Sequence, residues 1–369
     1  MINIAFAFNF NIQRCEVEVG EEEVIVRRGY APLVRLLVRY GLKADLFLSG
    51  FSTLKLLEID TRLVDGIREE LGRSFELGTY TYTHPIPQLL NARELEEQVA
   101  RGLAIDRKVF GVEPKGFLPP ELAYSAELAR ILKQQGIEWI IVLAKLLASA
   151  PGREQDLYRA WRAENEAGEL TALPAAYQLP DTPERFFKRM MKGELAVDTV
   201  IRGVEAFAAA HPGGLLLFKR DAETVFIDSL NSGFPASEAV FEEFLSRLAA
   251  LPEARFVTVG EYLAANPPAQ AVRLEEFLGN TRIETFTEGE AESLWKLTEQ
   301  VRARLMAAER EHPDSAAVKE AWEHLCLSHN SDGRIGYWHS AWNPGEHVVV
   351  PSRREFVAEN LRIALKLLA

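Results

Sequence analysis

Two carboxylates stand out because of where they fall. Glu121 closes the run Gly116-Phe117-Leu118-Pro119-Pro120-Glu121, and Asp221 opens the triplet Asp221-Ala222-Glu223. Each follows a short apolar run that reads as a strand, over 116–118 and 214–218. In a parallel α/β barrel, residues just beyond the C-terminal ends of the strands line one face. Two carboxyl groups delivered to that face are the minimum for cleaving a glycosidic bond with retention, one attacking the sugar carbon while the other gives and then recovers a proton. Pro119 and Pro120 stiffen the approach to Glu121. Glu121 is therefore read as the nucleophile and Asp221 as the acid/base. An early helical residue and a solvated charge cluster are the competing readings of the two positions. Lys219 and Arg220 would keep Asp221 ionised, whereas a general acid needs a raised pKa, which burial or the Glu121 charge must supply. Glu223 is a reserve acid or a partner that orients Asp221.

Other polar groups fall at strand ends as well. His84, in Thr83-His84-Pro85-Ile86-Pro87, follows a strand over 75–79, with Tyr80 and Tyr82 able to stack on sugar faces. Its neutral imidazole would bond a sugar hydroxyl. Asn9 and Asn11 leave the first strand on one face; their amides can bind hydroxyls but cannot exchange protons. Asp332, Trp338 and His339 belong to the densest polar-aromatic stretch, a composition suited to a carbohydrate subsite. His324 and His329 are five apart, where zinc-binding helices use a spacing of four. No metal and no cofactor are expected. The Gly-x-Ser-x-Gly elbow, the Gly-x-Gly-x-x-Gly fingerprint and the phosphate loop are missing.

The elements that must position these groups alternate. Strands are expected over 2–8, 43–48, 75–79, 116–118, 137–143, 214–218 and 255–259, with helices over 30–40, 61–71, 91–110, 125–135, 183–191, 197–210 and from 237. Asn91 and Glu94 form a capping box. Ser49-Gly50 reads as a turn, and 149–181 as an irregular excursion over the barrel mouth. This alternation predicts a parallel sheet with helices outside, and about seven strands fit a distorted (β/α)7 barrel over 1–265. Asn266-Pro267-Pro268-Ala269 marks a shift in composition, after which 266–369 reads as an all-α C-terminal region.

The chain has 369 residues, a net charge of −12 and two cysteines, Cys15 and Cys326. The length suits a barrel of roughly 250 residues plus a second unit. The negative charge disfavours a nucleic-acid partner but not a neutral sugar. The cysteines read as free thiols in a reducing compartment. The N-terminus reads as a strand and not a signal peptide, and no apolar run reaches the roughly 18 residues of a membrane span. A cytoplasmic protein is expected, with an oligosaccharide or polysaccharide as partner and no nucleic acid or membrane; a homo-oligomer stays open.

Four motifs in order resemble glycoside hydrolase family 57, retaining α-glucan enzymes with a seven-stranded barrel and a helical extension. Gly116 to Ser125 is similar to the family's nucleophile motif, Gly-x-Trp-Leu-Pro-Glu followed by a small residue and Tyr-Ser, with Glu121 on the nucleophile. Asp221-Ala222-Glu223 matches the acid/base run, and His84 takes the histidine position of a His-Pro-Ile-x-Pro-Leu-Leu loop. Residues 328–339 are similar to a Gln-x-Asn-Asp-x-Tyr-Trp-His segment of the helical region. The resemblance implies hydrolysis or transglycosylation of an α-linked glucan or related oligosaccharide. His84, Asn9, Asn11, Asp332 and Trp338 would position the sugar, with Glu223 and His339 beside them. Two departures accompany it. The family's His-x-His-Gln-Pro is Asn9-Phe10-Asn11-Ile12-Gln13 here, and the tryptophan of the nucleophile motif is Leu118. They raise the alternative of a catalytically weakened carbohydrate-binding protein on the same scaffold. A metal-dependent polysaccharide deacetylase would need an Asp-Asp pair and a His-x-x-x-His set, and neither occurs.

Overall fold

A computed structural model describes residues 1–12, 21–148, 156–165, 168–226, 237–279, 281–339 and 347–369. Its frame is a curled sheet. The strands are β1 (Ile2–Phe10), β2 (Ala44–Leu48), β3 (Phe75–Thr79), β4 (Gly116–Phe117), β5 (Trp139–Leu143), β6 (Trp161–Asn165), β7 (Gly168–Ala175), β8 (Leu215–Asp221), β9 (Ala254–Phe256) and β10 (Ala271–Arg273). The parallel run β7-β5-β4-β3-β2-β1-β8 supplies the seven strands of a distorted (β/α)7 barrel. β9 pairs only with the first residues of β1.

Alternation along each strand separates two cores. On β1, Ile4, Phe6, Phe8 and Phe10 pack outward among the helices, while Ala5 and Ala7 face an interior shared with Phe47, Trp139, Leu215 and Leu217. The interior is narrow, so large rings need gaps opposite them. A Cβ on Gly78 would lie 2.2 Å from the Phe47 ring, and one on Gly116 2.0 Å from the Trp139 ring. Helices form where the capping chemistry allows: Asn91 and Glu94 make the reciprocal capping box that starts the helix Ala92–Phe110, and Ser125 caps Ala126–Gln134.

The strand expected over 255–259 shortens to β9, with Val259 already starting the helix Val259–Ala265, and the structure departs from the sequence expectations in three further places. The stretch 149–181 is not irregular throughout: β7 lies within it, is paired to β5 and to the antiparallel β6, and is one of the seven barrel strands. Gly168 and Pro174 break the alternation that would have announced it. Ser49 is not merely part of a turn; its hydroxyl accepts from Ser52 N and caps the helix Gly50–Ile59. The C-terminal region is helical, with Glu292–Glu311, Ala316–Ser328 and Pro351–Leu367 as its main elements, but it carries a short hairpin, β11 (Tyr337–His339) with β12 (His347–Val349). Ahead of it, β10 adds a strand beside β6.

The helical region is clamped to the barrel through a buried charge cluster. Arg302 grips both carboxylate oxygens of Glu94 at 2.5 and 2.6 Å, and Arg334, fully buried, donates to Thr298 and lies over Trp295. Among the described residues no helix is long and apolar enough to cross a membrane. Cys326 is free and buried; Cys15 and Gln13 lie outside the described residues.

Candidate active site

The site is built at the C-terminal ends of the parallel strands. Asp221 ends β8, level with Asn9 on β1, and Lys219 stands level with Ala7. Two residues apart on one strand, Lys219 and Asp221 share the barrel's inner face, while Arg220 takes the opposite one. Lys219 Nζ donates to Asp221 Oδ1 at 2.7 Å. Burial works to raise the Asp221 carboxyl, but Lys219, Arg220, the Lys219 hydrogen bond and Lys188 outweigh it and hold it far below the usual range.

Glu121 sits one loop beyond β4 with φ 53° and ψ 14°. Among the described residues, His84, Glu121 and Leu122 are three of the four non-glycine residues with left-handed φ. Such backbone costs about 1–3 kcal/mol per residue and persists where surrounding structure enforces it. Here the enforcement is visible. Tyr124 and Phe277 exchange backbone hydrogen bonds at 2.7 and 2.8 Å, and Gln88 Nε2 donates to both carbonyls at 3.0 Å. Gly279 closes the clamp: at φ +68°, its Cβ would lie 2.0 Å from the Glu121 carbonyl oxygen.

Glu121 has exposed surface yet is desolvated by the protein around it. Burial first, then the charges of Asp332 and Asp221, push its carboxyl up to about 7 against Lys219 and Lys188. Solvent reaches both carboxylates, the Asp221 side chain being 42% exposed, so both departures are milder than a sealed core would give. Lys219 bonds Asp221 directly, and the two carboxyls depart in opposite directions. Glu121, Asp221, Lys219, Lys188 and Tyr177 thus form one electrostatic cluster.

The helical region contributes Asp332. Asn330 donates to Thr83 O and caps the short helix Ser331–Ile335, and Ser331 N donates to His84 O at 3.1 Å. His84 Nδ1 lies 2.9 Å from Ser331 Oγ and 3.9 Å from Asp332 Oδ2, with its ring stacked on Tyr80. Burial lowers its pKa against the pull of Asp332 and Asp221, which favours a neutral imidazole. The amide oxygens of Asn9 and Asn11 are buried with no hydrogen-bond partner among the described residues. Glu223 turns elsewhere: its Oε2 accepts from Asn11 N and Tyr30 OH, and burial with the Asp221 charge raises its pKa. It braces the end of β1. Trp338 and His339 lie on β11, with side chains outside the described part of the structure.

Tyr177, Lys188, Ser331, Gln88 and Gly279 are the site residues that sequence reasoning missed. Tyr177 follows β7, the strand hidden in the apparent excursion, and Lys188 lies on the helix Pro183–Met191. Among the described residues no cluster of three or more His, Cys, Asp or Glu could hold a metal ion.

The fold is a curled seven-stranded sheet with carboxylates at its C-terminal rim and a helical region packed against it. Residues 15–275 match the model of glycosyl hydrolase family 57, and the chain belongs to that family. Among solved structures, the 4-alpha-glucanotransferase from Thermococcus litoralis is similar with a TM-score of 0.77 at 18% identity, over 100% of this chain and 60% of that one. A GH57 branching enzyme from Thermococcus kodakaraensis gives 0.76 at 15% identity, over 99% and 90%. The alpha-amylase AmyC from Thermotoga maritima gives 0.72 at 11%, over 99% and 92%. At these identities the likeness shows the fold, and this chain spans 60% of the length of the glucanotransferase. No curated protein sequence matches the chain.

Proposed function

We propose that the chain is a retaining glycoside hydrolase or transglycosylase acting on an α-linked glucan or related oligosaccharide, with Glu121 as nucleophile and Asp221 as acid/base. The observation that carries this is the convergence of the two carboxylates, from the ends of β4 and β8, on one cleft of a family 57 barrel. In the first half-reaction a Glu121 oxygen bonds the anomeric carbon, the bond to the leaving sugar oxygen breaks, and Asp221 gives that oxygen its proton. In the second, Asp221 takes a proton from water or an acceptor hydroxyl, whose oxygen displaces Glu121. Asn9, Asn11, His84, Asp332, Trp338 and His339 position the sugar; the orphaned amide oxygens of Asn9 and Asn11 are acceptors that sugar hydroxyls would satisfy. Glu223 positions the end of β1. The catalytic barrel is assigned to 1–265 and the helical domain to 266–369.

The resting protonation runs against this chemistry. Asp221 is held ionised and Glu121 raised to about 7, so the reactive form, with the proton on Asp221, is a minor population. That favours a second reading, a weakened enzyme that binds carbohydrate and turns it over slowly. The test is Glu121→Gln assayed on α-glucan oligosaccharides, with product anomers followed by NMR. Loss of turnover and retained configuration support the assignment; unchanged turnover or inverted product refutes it.

A further inference from the structure

Lys188 occupies an unusual place for a lysine on an amphipathic helix. It lies on the helix Pro183–Met191, which follows Tyr177 in the chain. A lysine in such a helix ordinarily reaches water or pairs with an acid four residues earlier. The acid is present, but Glu184 is 1% exposed, faces inward with Oε2 unpartnered, and forms no ion pair among the described residues. Lys188 instead lays its ammonium over the Tyr177 ring, 4.6 Å from the centroid. Among the described residues it makes no hydrogen bond or ion pair.

This corner adjoins the two catalytic carboxylates. The charges of Glu121 and Asp221 both act on Tyr177, and that of Lys188 acts on both carboxylates. Asp221 already has its counterion in Lys219, whose ammonium lies 5.9 Å from the same Tyr177 ring. Lys188 is therefore a half-buried positive charge with no ion-pair partner among the described residues, beside a partly exposed aromatic ring. Burial lowers its pKa to about 8, as expected of an ammonium whose desolvation nothing nearby offsets in full. An aromatic face receives the C–H surface of a sugar, and an ammonium beside it receives an anion as a compact charge with several donors.

From this corner we infer that the sugar bound against Tyr177 carries an anionic substituent, a phosphate ester or a carboxylate, that pairs with Lys188. The inference rests on the α-glucan reading above and adds the charge of the substrate to it. A neutral glucan would offer Lys188 no direct ion pair, whereas an anionic one completes a charge-assisted contact, worth about ten- to a hundred-fold in affinity.

The test is calorimetric titration of the full chain with three oligosaccharides of matched length: neutral maltooligosaccharide, its phosphorylated form and its uronic-acid form. Each is repeated with Lys188→Met and Lys188→Arg. The expected result is that one or both anionic ligands bind about ten-fold or more tighter than the neutral one, that Lys188→Met removes the preference, and that Lys188→Arg keeps it. Which anionic ligand binds decides between phosphate and carboxylate. Equal binding of all three by the wild-type chain overturns the inference and leaves the α-glucan reading standing. A preference that survives Lys188→Met places the anion elsewhere and also overturns it. Failure of all three to bind ends both readings.

Discussion

Replacing Lys219 with methionine is the perturbation with the most diagnostic consequence. It keeps most of the aliphatic stem and removes the ammonium 2.7 Å from Asp221 Oδ1. With Glu121 as nucleophile and Asp221 as acid, turnover needs Glu121 ionised and Asp221 protonated, the reverse of the resting state. The fraction of protein in that form is flat between the two pKa values, at a height set by their separation, and falls outside them. The acidic limb of kcat/KM then belongs to Asp221 and the basic limb, near pH 7, to Glu121. A cation this close lowers a carboxylate pKa by about 1–3 units; with the Asp221 side chain 42% exposed, screening puts the effect at about 1–2 units. Lys219→Met is thus expected to move the acidic limb up by that amount and to raise the plateau about 10- to 100-fold. The basic limb should drift up slightly, because Lys219 also lowers Glu121. The assay is kcat/KM on an α-glucan oligosaccharide from pH 3 to 9, with thermal unfolding as a control for the fold. If the roles were exchanged, the resting state would already be the reactive one. The limb would move while the plateau stayed level, and that result refutes the assignment.

Two further predictions concern stability and backbone strain. Asp106 is fully buried, bonded by Thr79 Oγ1 at 2.6 Å, and burial pushes its carboxyl up to about 8. Its ordinary value is lower, so its contribution to stability is complete at acid pH and is lost as pH rises through about 8. Asp106→Asn keeps the acceptor, and should match wild type near pH 4 and exceed it by on the order of 3 kcal/mol at pH 9 in denaturant unfolding; parallel pH curves would contradict this. Gly279→Ala puts a Cβ where the Glu121 carbonyl oxygen lies and forces a left-handed alanine. It should cost about 2 kcal/mol of stability and lower kcat about 100-fold by displacing the nucleophile, whereas a near-normal kcat would show that the clamp does not hold Glu121.

The sequence revealed what local chemistry dictates. The Asn91–Glu94 capping box, the Ser125 cap and the strand Phe75–Thr79 lie where the pattern puts them, because caps and apolar periodicity are local. β7 was illegible because Gly168 and Pro174 disrupt its alternation, and with it went Tyr177 at its end. The left-handed backbone of Glu121 could not be read either, since it is imposed by Tyr124, Phe277 and Gly279, brought together only by the fold. Lys219 was recognised as a charge beside Asp221, but its partnership comes from strand geometry, which points it to the same face and sends Arg220 to the other. Lys188 lies on a helix legible in the sequence, but its place over the Tyr177 ring comes from the fold.

The assignment of Glu121 is best tested by trapping the glycosyl-enzyme. A fluorinated α-glucosyl fluoride that forms the covalent intermediate quickly and releases it slowly is incubated with the full chain, which is then digested and its peptides mapped by mass spectrometry. The sugar is expected on the Glu121 carboxyl and should be absent from Glu121→Gln. A sugar on Asp221, or an unlabelled Glu121 in protein that turns over the unfluorinated substrate, contradicts the mechanism.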